Sequence, residues 1–165
     1  MDEEAITRHI AETFAGVRVT IASAQNGAPE IAWGDRFFIY DPDGDLPPER
    51  HFPFATIVIK DYGDFDRASN LDRPGVFRLN IGLGKEAYRA HFGAPPKPAG
   101  AGGAVDTGHD FTALDVVMPH PVYAPQSWVC ILNPGEATFR AEVQSLLADA
   151  YQTAAGRFGR RTRGE

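Results

Sequence analysis

Arg78 and Asn80 are the polar side chains whose placement most strongly suggests a binding role. They alternate with apolar residues in segment 76–81. Successive side chains of a strand point to opposite faces, so this segment predicts a β-strand with one apolar face and with Arg78 and Asn80 on the other. A buried polar group without a partner costs about 1 to 3 kcal/mol. The two side chains must therefore meet either an internal network or a ligand, and the sequence leaves both alternatives open.

A second group of chemically capable residues lies in segment 118–130. Its three prolines stiffen a loop that presents His120 and Tyr123, and Trp128 and Cys130 then share one face of the next strand. A rigid loop with aromatic and titratable groups suits a small-molecule site. His120 is a candidate general base and Cys130 a candidate nucleophile, although a cysteine in an apolar strand is more often a small buried hydrophobe.

These observations support three functional hypotheses. The first is binding of a small anionic or aromatic molecule on the sheet face, without catalysis, by a site that comprises Arg78, Asn80, His120, Tyr123 and Trp128. The second is an enzyme in which His120 is the acid or base and Arg78 holds an anionic substrate. The third is a protein or nucleic-acid interaction module that uses the basic tail 157–163.

Motifs for metals and phosphates are incomplete. The aspartates of segment 41–45 have calcium-loop spacing, but Leu46 stands where that loop needs glycine and Phe52 where it needs glutamate. Gly82 and Gly84 lack the third glycine and the lysine of a phosphate loop. The five histidines have no zinc-type spacing. The sequence therefore predicts turns at these places, and no metal or cofactor.

Composition limits the class of protein. The 165 residues with 43% hydrophobic content are typical of one globular domain, 1–165. A net charge of −6 disfavours binding to nucleic acid. The acidic N-terminus and the lack of a stretch of roughly 20 apolar residues predict a cytoplasmic protein without membrane contact. The oligomeric state stays open.

Hydrophobic periodicity predicts the elements that position these residues. Helices are predicted at 2–15, 85–92 and 137–155, strands at 17–22, 33–40, 54–60, 76–81, 113–118 and 127–132, and a single helical turn at 64–72. Segment 93–103 is predicted to be a flexible loop and 157–165 a frayed tail. Short turns between strands favour an α+β fold of two layers, with a mainly antiparallel sheet and the helices on one face.

Several segments resemble a known family. Runs 37–44, 53–58, 71–82, 118–123 and 127–134 look like domain of unknown function 6194, a resemblance that covers nearly the whole chain and implies no activity. More distantly, the order of His120, Trp128 and a closing helix is similar to that of MmcQ/YjbR-like proteins, which implies a two-layer α+β domain with a helix at each end. Pro121 and Val122 replace the Asn-Lys that follows the histidine in those proteins, so their proposed DNA binding is not implied here.

Overall fold

Six strands form one antiparallel sheet in the residues that the computed structural model describes, 1–100 and 103–164. The strands are β1 Val17–Ile21, β2 Arg36–Tyr40, β3 Ala55–Val58, β4 Arg78–Gly82, β5 Met118–Pro119 and β6 Trp128–Leu132. Their order across the sheet is β1-β2-β3-β4-β6-β5, so β4 lies in the interior, between β3 and β6. The predicted α+β fold with an antiparallel sheet is confirmed.

The first two helices begin and end close to where the periodicity places them, whereas the closing helix continues past its expected end at 155 to Thr162. They are α1 Glu3–Thr13, α2 Lys85–Phe92, α3 Glu136–Thr138 and α4 Gln144–Thr162, and a π-helical turn, Phe139–Val143, joins the last two. Short 3-10 turns occur at Ala24–Asn26, Glu30–Ala32, Pro48–Arg50 and Ala124–Gln126. Asp2 caps α1 by accepting a hydrogen bond from the Ala5 amide at 2.8 Å. Among the described residues, no helix combines the length and the apolar character that a membrane crossing requires.

The helices pack on one face of the sheet and build the main core there. Strand and helix residues of this face belong to one buried cluster, which includes Ile6, Ile10, Leu79, Ile81, Ile131, Leu146 and Leu147. On the same side, Arg36 of β2 forms an ion pair with Glu4 of α1 at 2.6 Å. Alternate strand residues are thus apolar because they meet helices, as the sequence pattern predicts.

The opposite face is covered by irregular chain, chiefly segment 59–77 and the loop that carries His120. Within segment 59–77, Asp61 accepts a hydrogen bond from the Leu71 amide at 2.8 Å, and Asp72 accepts one from the Asp61 amide at 3.0 Å. Leu71 packs in a small apolar cluster with Val58 and Leu132. Side-chain hydrogen bonds and this cluster hold the segment in place. The single helical turn expected at 64–72 is wrong, because this stretch forms successive turns instead.

The expected strand 113–118 is largely wrong. Only Met118 of that segment lies in β5, and Leu114 makes a single parallel bridge to Leu132. Asp115 interrupts the extended backbone with a φ of 60°, while its carboxylate accepts a hydrogen bond from the Gly135 amide at 2.7 Å. The alternating apolar and polar residues of segment 113–118 therefore belong to a loop that is anchored beside β6. In the same way, the second strand starts at Arg36 rather than Trp33, because Gly34 has a φ of 91°.

The mobility expected for two segments, 93–103 and 157–165, remains a prediction. Residues 93–100 and 103 follow the end of α2 and contain no helix or strand. Residues 101 and 102 lie outside the described residues. Helix α4 continues to Thr162 and so includes most of the basic tail, while 165 also lies outside the described residues. Fraying of the tail remains an expectation about solution behaviour.

Candidate functional site

Arg78 is the centre of a buried polar network. Strand β4 holds it in the interior of the sheet, and its side chain is 1% exposed. Its Nε donates to Asn80 Oδ1 at 2.7 Å, and its Nη1 donates to Ser69 Oγ at 2.8 Å. Both terminal nitrogens also donate to Asp66, at 3.1 and 2.5 Å, and Nη2 faces His120 Nε2 at 3.2 Å. Four of the five N–H groups of the guanidinium thus have an oxygen acceptor, and the fifth lies beside the His120 ring.

The partners of Arg78 come from sequence positions that show no periodic pattern. Asp66 and Ser69 lie in the irregular segment 59–77, and both are buried. Asn80 in turn donates from Nδ2 to Thr56 Oγ1 on β3 at 3.0 Å. We call these residues, Arg78, Asp66, Ser69, Asn80, Thr56 and His120, the buried network. Of the two alternatives for Arg78 and Asn80, this geometry favours the internal network.

His120 is held by main-chain donors. Its Nδ1 accepts hydrogen bonds from the amides of Val122 at 3.0 Å and Tyr123 at 2.9 Å. A neutral imidazole that accepts at Nδ1 carries its proton on Nε2, which here faces the Arg78 cation. Burial, and secondarily the charge of Arg78, hold the pKa of His120 well below its ordinary value. This ring is therefore a neutral anchor for the loop rather than an accessible acid or base.

Tyr123 and Trp128 bring the network to the surface. The Tyr123 ring lies 5.0 Å from that of His120 and 6.5 Å from that of Trp128, centroid to centroid, and its other neighbour is Phe65 at 6.1 Å. Tyr123 is 40% exposed and Phe65 57% exposed. The five residues singled out from the sequence thus lie together, with Arg78, Asn80 and His120 buried and with Tyr123 and Trp128 above them.

Gly82 and Ser127 determine where the Trp128 indole lies. Gly82 pairs with Trp128 across β4 and β6, and a Cβ atom at position 82 would stand 2.8 Å from Cε2 and Cζ2 of the indole. Only glycine lets the ring rest on the strand at this place. Ser127, with a φ of 70°, ends the preceding turn and starts β6 at Trp128.

A cleft of about 690 Å³ lies beside Trp128, between the chain 40–54, the adjoining ends of β4 and β6, and helix α4. We call it the Trp128 cleft. Its charged lining consists of Asp43, Asp45, Arg50, Arg157 and Arg161. Its aromatic lining consists of Tyr40, Phe52, Phe54, Trp128 and Phe158.

Sequence reasoning found only part of the Trp128 cleft. It identified Trp128, and it noted the arginines of the tail as a basic segment. It missed Arg50 and Phe52, since they follow a proline-rich turn with no periodic signal. The guanidinium of Arg161 lies 5.4 Å from the centroid of the Phe52 ring, so this contact joins the tail to that turn.

Cys130 lies in the interior of the sheet and is 1% exposed. Its Sγ faces the Pro119 carbonyl at 3.8 Å, and burial raises the pKa of the thiol to about 12. A nucleophilic cysteine needs a thiolate that a substrate can reach. Cys130 has neither property in this fold and acts as a small buried side chain.

A second polar pair, buried Asp35 and partly buried Tyr62, joins the residue before β2 to segment 59–77. Asp35 is fully buried, accepts a hydrogen bond from the Ile59 amide at 3.1 Å, and accepts another from the Tyr62 hydroxyl. Burial raises the pKa of Asp35, against the opposing effect of the Tyr62 hydrogen bond, and burial also raises the pKa of Tyr62. This pair fastens the segment that carries Asp66 to the sheet.

The aspartates of segment 41–45 form a turn. Asp41 is buried, pairs with Arg18 at 2.5 Å and accepts a hydrogen bond from the Leu46 amide at 3.3 Å. Gly44 has a φ of 71°, as a tight turn requires. In the chain as described, no three His, Cys, Asp or Glu side chains are grouped so as to hold a metal ion.

The fold and the site define a class: a two-layer α+β domain that has a buried ionic network on its helix-free face and an open aromatic cleft between the sheet and its closing helix. The chain belongs to the DUF6194 family, a family of unknown function, whose family model matches residues 1–163. This confirms the resemblance seen in the sequence. No curated protein and no solved structure matches the chain. The distant likeness to MmcQ/YjbR-like proteins stays a prediction.

Proposed function

We propose that this protein binds a small molecule in the Trp128 cleft, without chemical conversion. The observation that carries the proposal is the indole of Trp128, which lies against Gly82 and is only partly buried at the wall of the cleft. A large apolar ring that a glycine accommodates, and that the fold does not cover, offers a flat surface for a ligand. The cleft volume of about 690 Å³ lies within the range of small-molecule sites.

The buried network holds in place the loop that leads to Trp128. His120 donates its backbone amide to the Trp128 carbonyl at 3.0 Å, and the Trp128 amide donates to the Tyr123 carbonyl at 3.2 Å. The loop between them is therefore closed by main-chain hydrogen bonds, and its histidine is anchored next to Arg78. Of the five residues predicted from the sequence, only Trp128 lines the cleft, so in this proposal Arg78, Asn80, His120 and Tyr123 position Trp128 and do not contact the ligand themselves.

The other two hypotheses have less support. Proton transfer by His120 would need an exposed nitrogen, but Nδ1 accepts two amides and Nε2 faces Arg78. For an interaction module based on the tail, the arginines are exposed, but Arg157 and Arg161 also line the Trp128 cleft, and the net charge of −6 disfavours a polyanionic partner.

N-phenyl-1-naphthylamine, a neutral fluorescent probe, tests the proposal. Its emission should rise saturably with protein, and excitation of Trp128 should sensitise it. The chain has two tryptophans, so Trp33 provides a matched control: it is 39% exposed, donates to the Ala28 carbonyl and does not line the cleft. Trp128→Phe should lower both the probe affinity and the sensitised emission strongly, whereas Trp33→Phe should preserve the affinity and most of the sensitised emission.

Gly82→Ala supplies a second test that leaves both tryptophans in place. The added methyl group would overlap the indole at 2.8 Å and must displace it. We expect probe affinity to fall about tenfold, the equivalent of about 1.4 kcal/mol, with the fold retained by circular dichroism. Absence of probe binding to the native protein, or equal binding by the Gly82→Ala variant, would overturn the proposal.

A further inference from the structure

The Trp128 cleft is more basic than the protein around it. The whole chain has a net charge of −6, yet the cleft is lined by three arginines, Arg50, Arg157 and Arg161, against two aspartates, Asp43 and Asp45. Local charge of the opposite sign to the whole raises the concentration of small anions at that place and leaves polyanions repelled by the rest of the surface. The cleft therefore suits a small anion better than a nucleic acid.

The cleft arginines differ from the structural arginines of this fold. Arg18, Arg36 and Arg78 each close an ion pair with an aspartate or glutamate at 2.5 or 2.6 Å. Across residues 1–100 and 103–164, Arg50 and Arg157 have no ion-pair or hydrogen-bond partner for their guanidinium groups, although two aspartates line the same cleft. Their donors remain available to a ligand.

Arg161 adds an aromatic neighbour to this arrangement. Its guanidinium lies over the face of Phe52, which is 62% exposed, at 5.4 Å from the ring centroid. Stacking orients the planar cation while its edge stays free to donate hydrogen bonds. The cleft thus combines donors suited to a carboxylate or sulfonate with the flat apolar surfaces of Phe52 and Trp128.

We propose that the Trp128 cleft binds an organic monoanion with a planar apolar part, which packs on Trp128 while its anionic group is held by Arg50, Arg157 and Arg161. This inference rests on the proposed function and adds the chemical class of the ligand. Three guanidinium groups and two carboxylates leave one positive charge in the cleft, which one carboxylate or sulfonate neutralises.

Two probes with the same ring system separate this inference from the proposed function. 8-Anilinonaphthalene-1-sulfonate carries a sulfonate that N-phenyl-1-naphthylamine lacks. We expect the anionic probe to bind about tenfold more tightly at low salt. Added salt should weaken the binding of the anionic probe only, because salt screens the charges of the exposed arginines.

Charge variants test the assignment of residues. Arg157→Gln should weaken the anionic probe about threefold to tenfold and leave the neutral probe unchanged. Asp45→Asn should tighten the binding of the anionic probe, because it removes a negative charge from the cleft. Arg160→Gln is the matched control, since Arg160 is exposed on the same helix but does not line the cleft, and it should change neither affinity. Urea unfolding of each variant verifies that the fold is intact.

The outcomes are distinguishable. If both probes bind equally and no arginine variant changes either affinity, the inference is overturned and the proposed function stands. If Arg160→Gln weakens binding of the anionic probe as much as Arg157→Gln does, the affinity depends only on the overall charge of the protein, and the inference is also overturned. If neither probe binds, the proposed function fails and the inference fails with it.

Discussion

Replacing Arg78 with methionine removes the central cation of the buried network while keeping much of the side-chain volume. Asp66 then loses both of its hydrogen bonds from Arg78, at 3.1 and 2.5 Å. In the described part of the chain no other group donates to that carboxylate. A buried charge that has lost its partner costs about 3 to 5 kcal/mol of unfolding free energy.

The expected change is large enough to measure by urea unfolding at neutral pH. With an m-value of about 2 kcal/mol per M, a loss of about 3 to 5 kcal/mol lowers the urea midpoint by about 1.5 to 2.5 M. Ser69 and Asn80 also lose a donor each, so the upper half of that range is the better expectation. Far-UV circular dichroism and tryptophan fluorescence should report the same transition if unfolding remains two-state.

The chain offers a matched control in the same segment. Arg67 pairs with Asp64 at 3.0 Å, but these side chains are 65% and 88% exposed. Arg67→Met should therefore cost at most about 1 kcal/mol, the upper end for exposed pairs.

A double variant tests the cause of the loss. Adding Asp66→Asn to Arg78→Met should recover part of the stability, because the stranded group is then neutral. A cost below about 1 kcal/mol for Arg78→Met, similar to that of an exposed pair, would refute the reasoning. Failure of the double variant to recover any stability would refute the role assigned to the carboxylate.

Three further predictions concern stability and can be checked by the same urea measurements. Leu146→Ala should cost about 2 to 5 kcal/mol, because Leu146 is 2% exposed in the core, and a cost below about 0.5 kcal/mol would place the closing helix outside it. Because burial holds the pKa of His120 down, the unfolded chain takes up a proton below about pH 6.5 that the folded chain does not, so the unfolding free energy should fall with falling pH by at most about 1.4 kcal/mol per unit. His120→Gln should reduce this dependence of the unfolding free energy on pH. The part that remains comes from His9, whose pKa burial also lowers. An unchanged slope would contradict the conclusion that His120 is buried in its neutral form. Tyr62→Phe removes the hydroxyl that donates to buried Asp35 and should cost about 1 to 3 kcal/mol, whereas no change would mean that this carboxylate does not depend on it.

The elements with strong periodicity were predictable from sequence. The apolar stripe of the last helix and the alternation around Leu79 indicate buried faces directly, because side-chain direction follows from helix and strand geometry. The segment around Leu114 was not predictable: its alternation is that of a strand, but the left-handed backbone of Asp115 and the hydrogen bond to Gly135 depend on chain more than fifteen residues away. Local pattern carries no information about such anchors.

The site was predictable only in part, because the sequence indicates Arg78, Asn80, His120, Tyr123 and Trp128 but not the residues that they meet. The polarity of Arg78 on an apolar strand requires a partner, yet the chain holds 22 acidic residues and nothing in the sequence selects Asp66. Its position depends on the turns of segment 59–77. In the same way, Arg50 and Phe52 reach the Trp128 cleft only because helix α4 passes next to their turn.

The π-helical turn Phe139–Val143 gives the closing helix a place that can accommodate a change of one residue in its length. Its main chain bonds from the Gln144 amide back to the Phe139 carbonyl, five residues away, so the turn holds one residue more than an α-helical turn. An α-helix advances by about 100° per residue. Because the wider turn absorbs its extra residue, deleting one residue here would restore ordinary helical bonding and leave Leu146 and Leu147 facing the sheet, whereas a deletion in the α-helical chain would rotate the residues after it by about that angle. The π turn is therefore a place in the closing helix where the chain could lose a residue and still present the same side chains to the core.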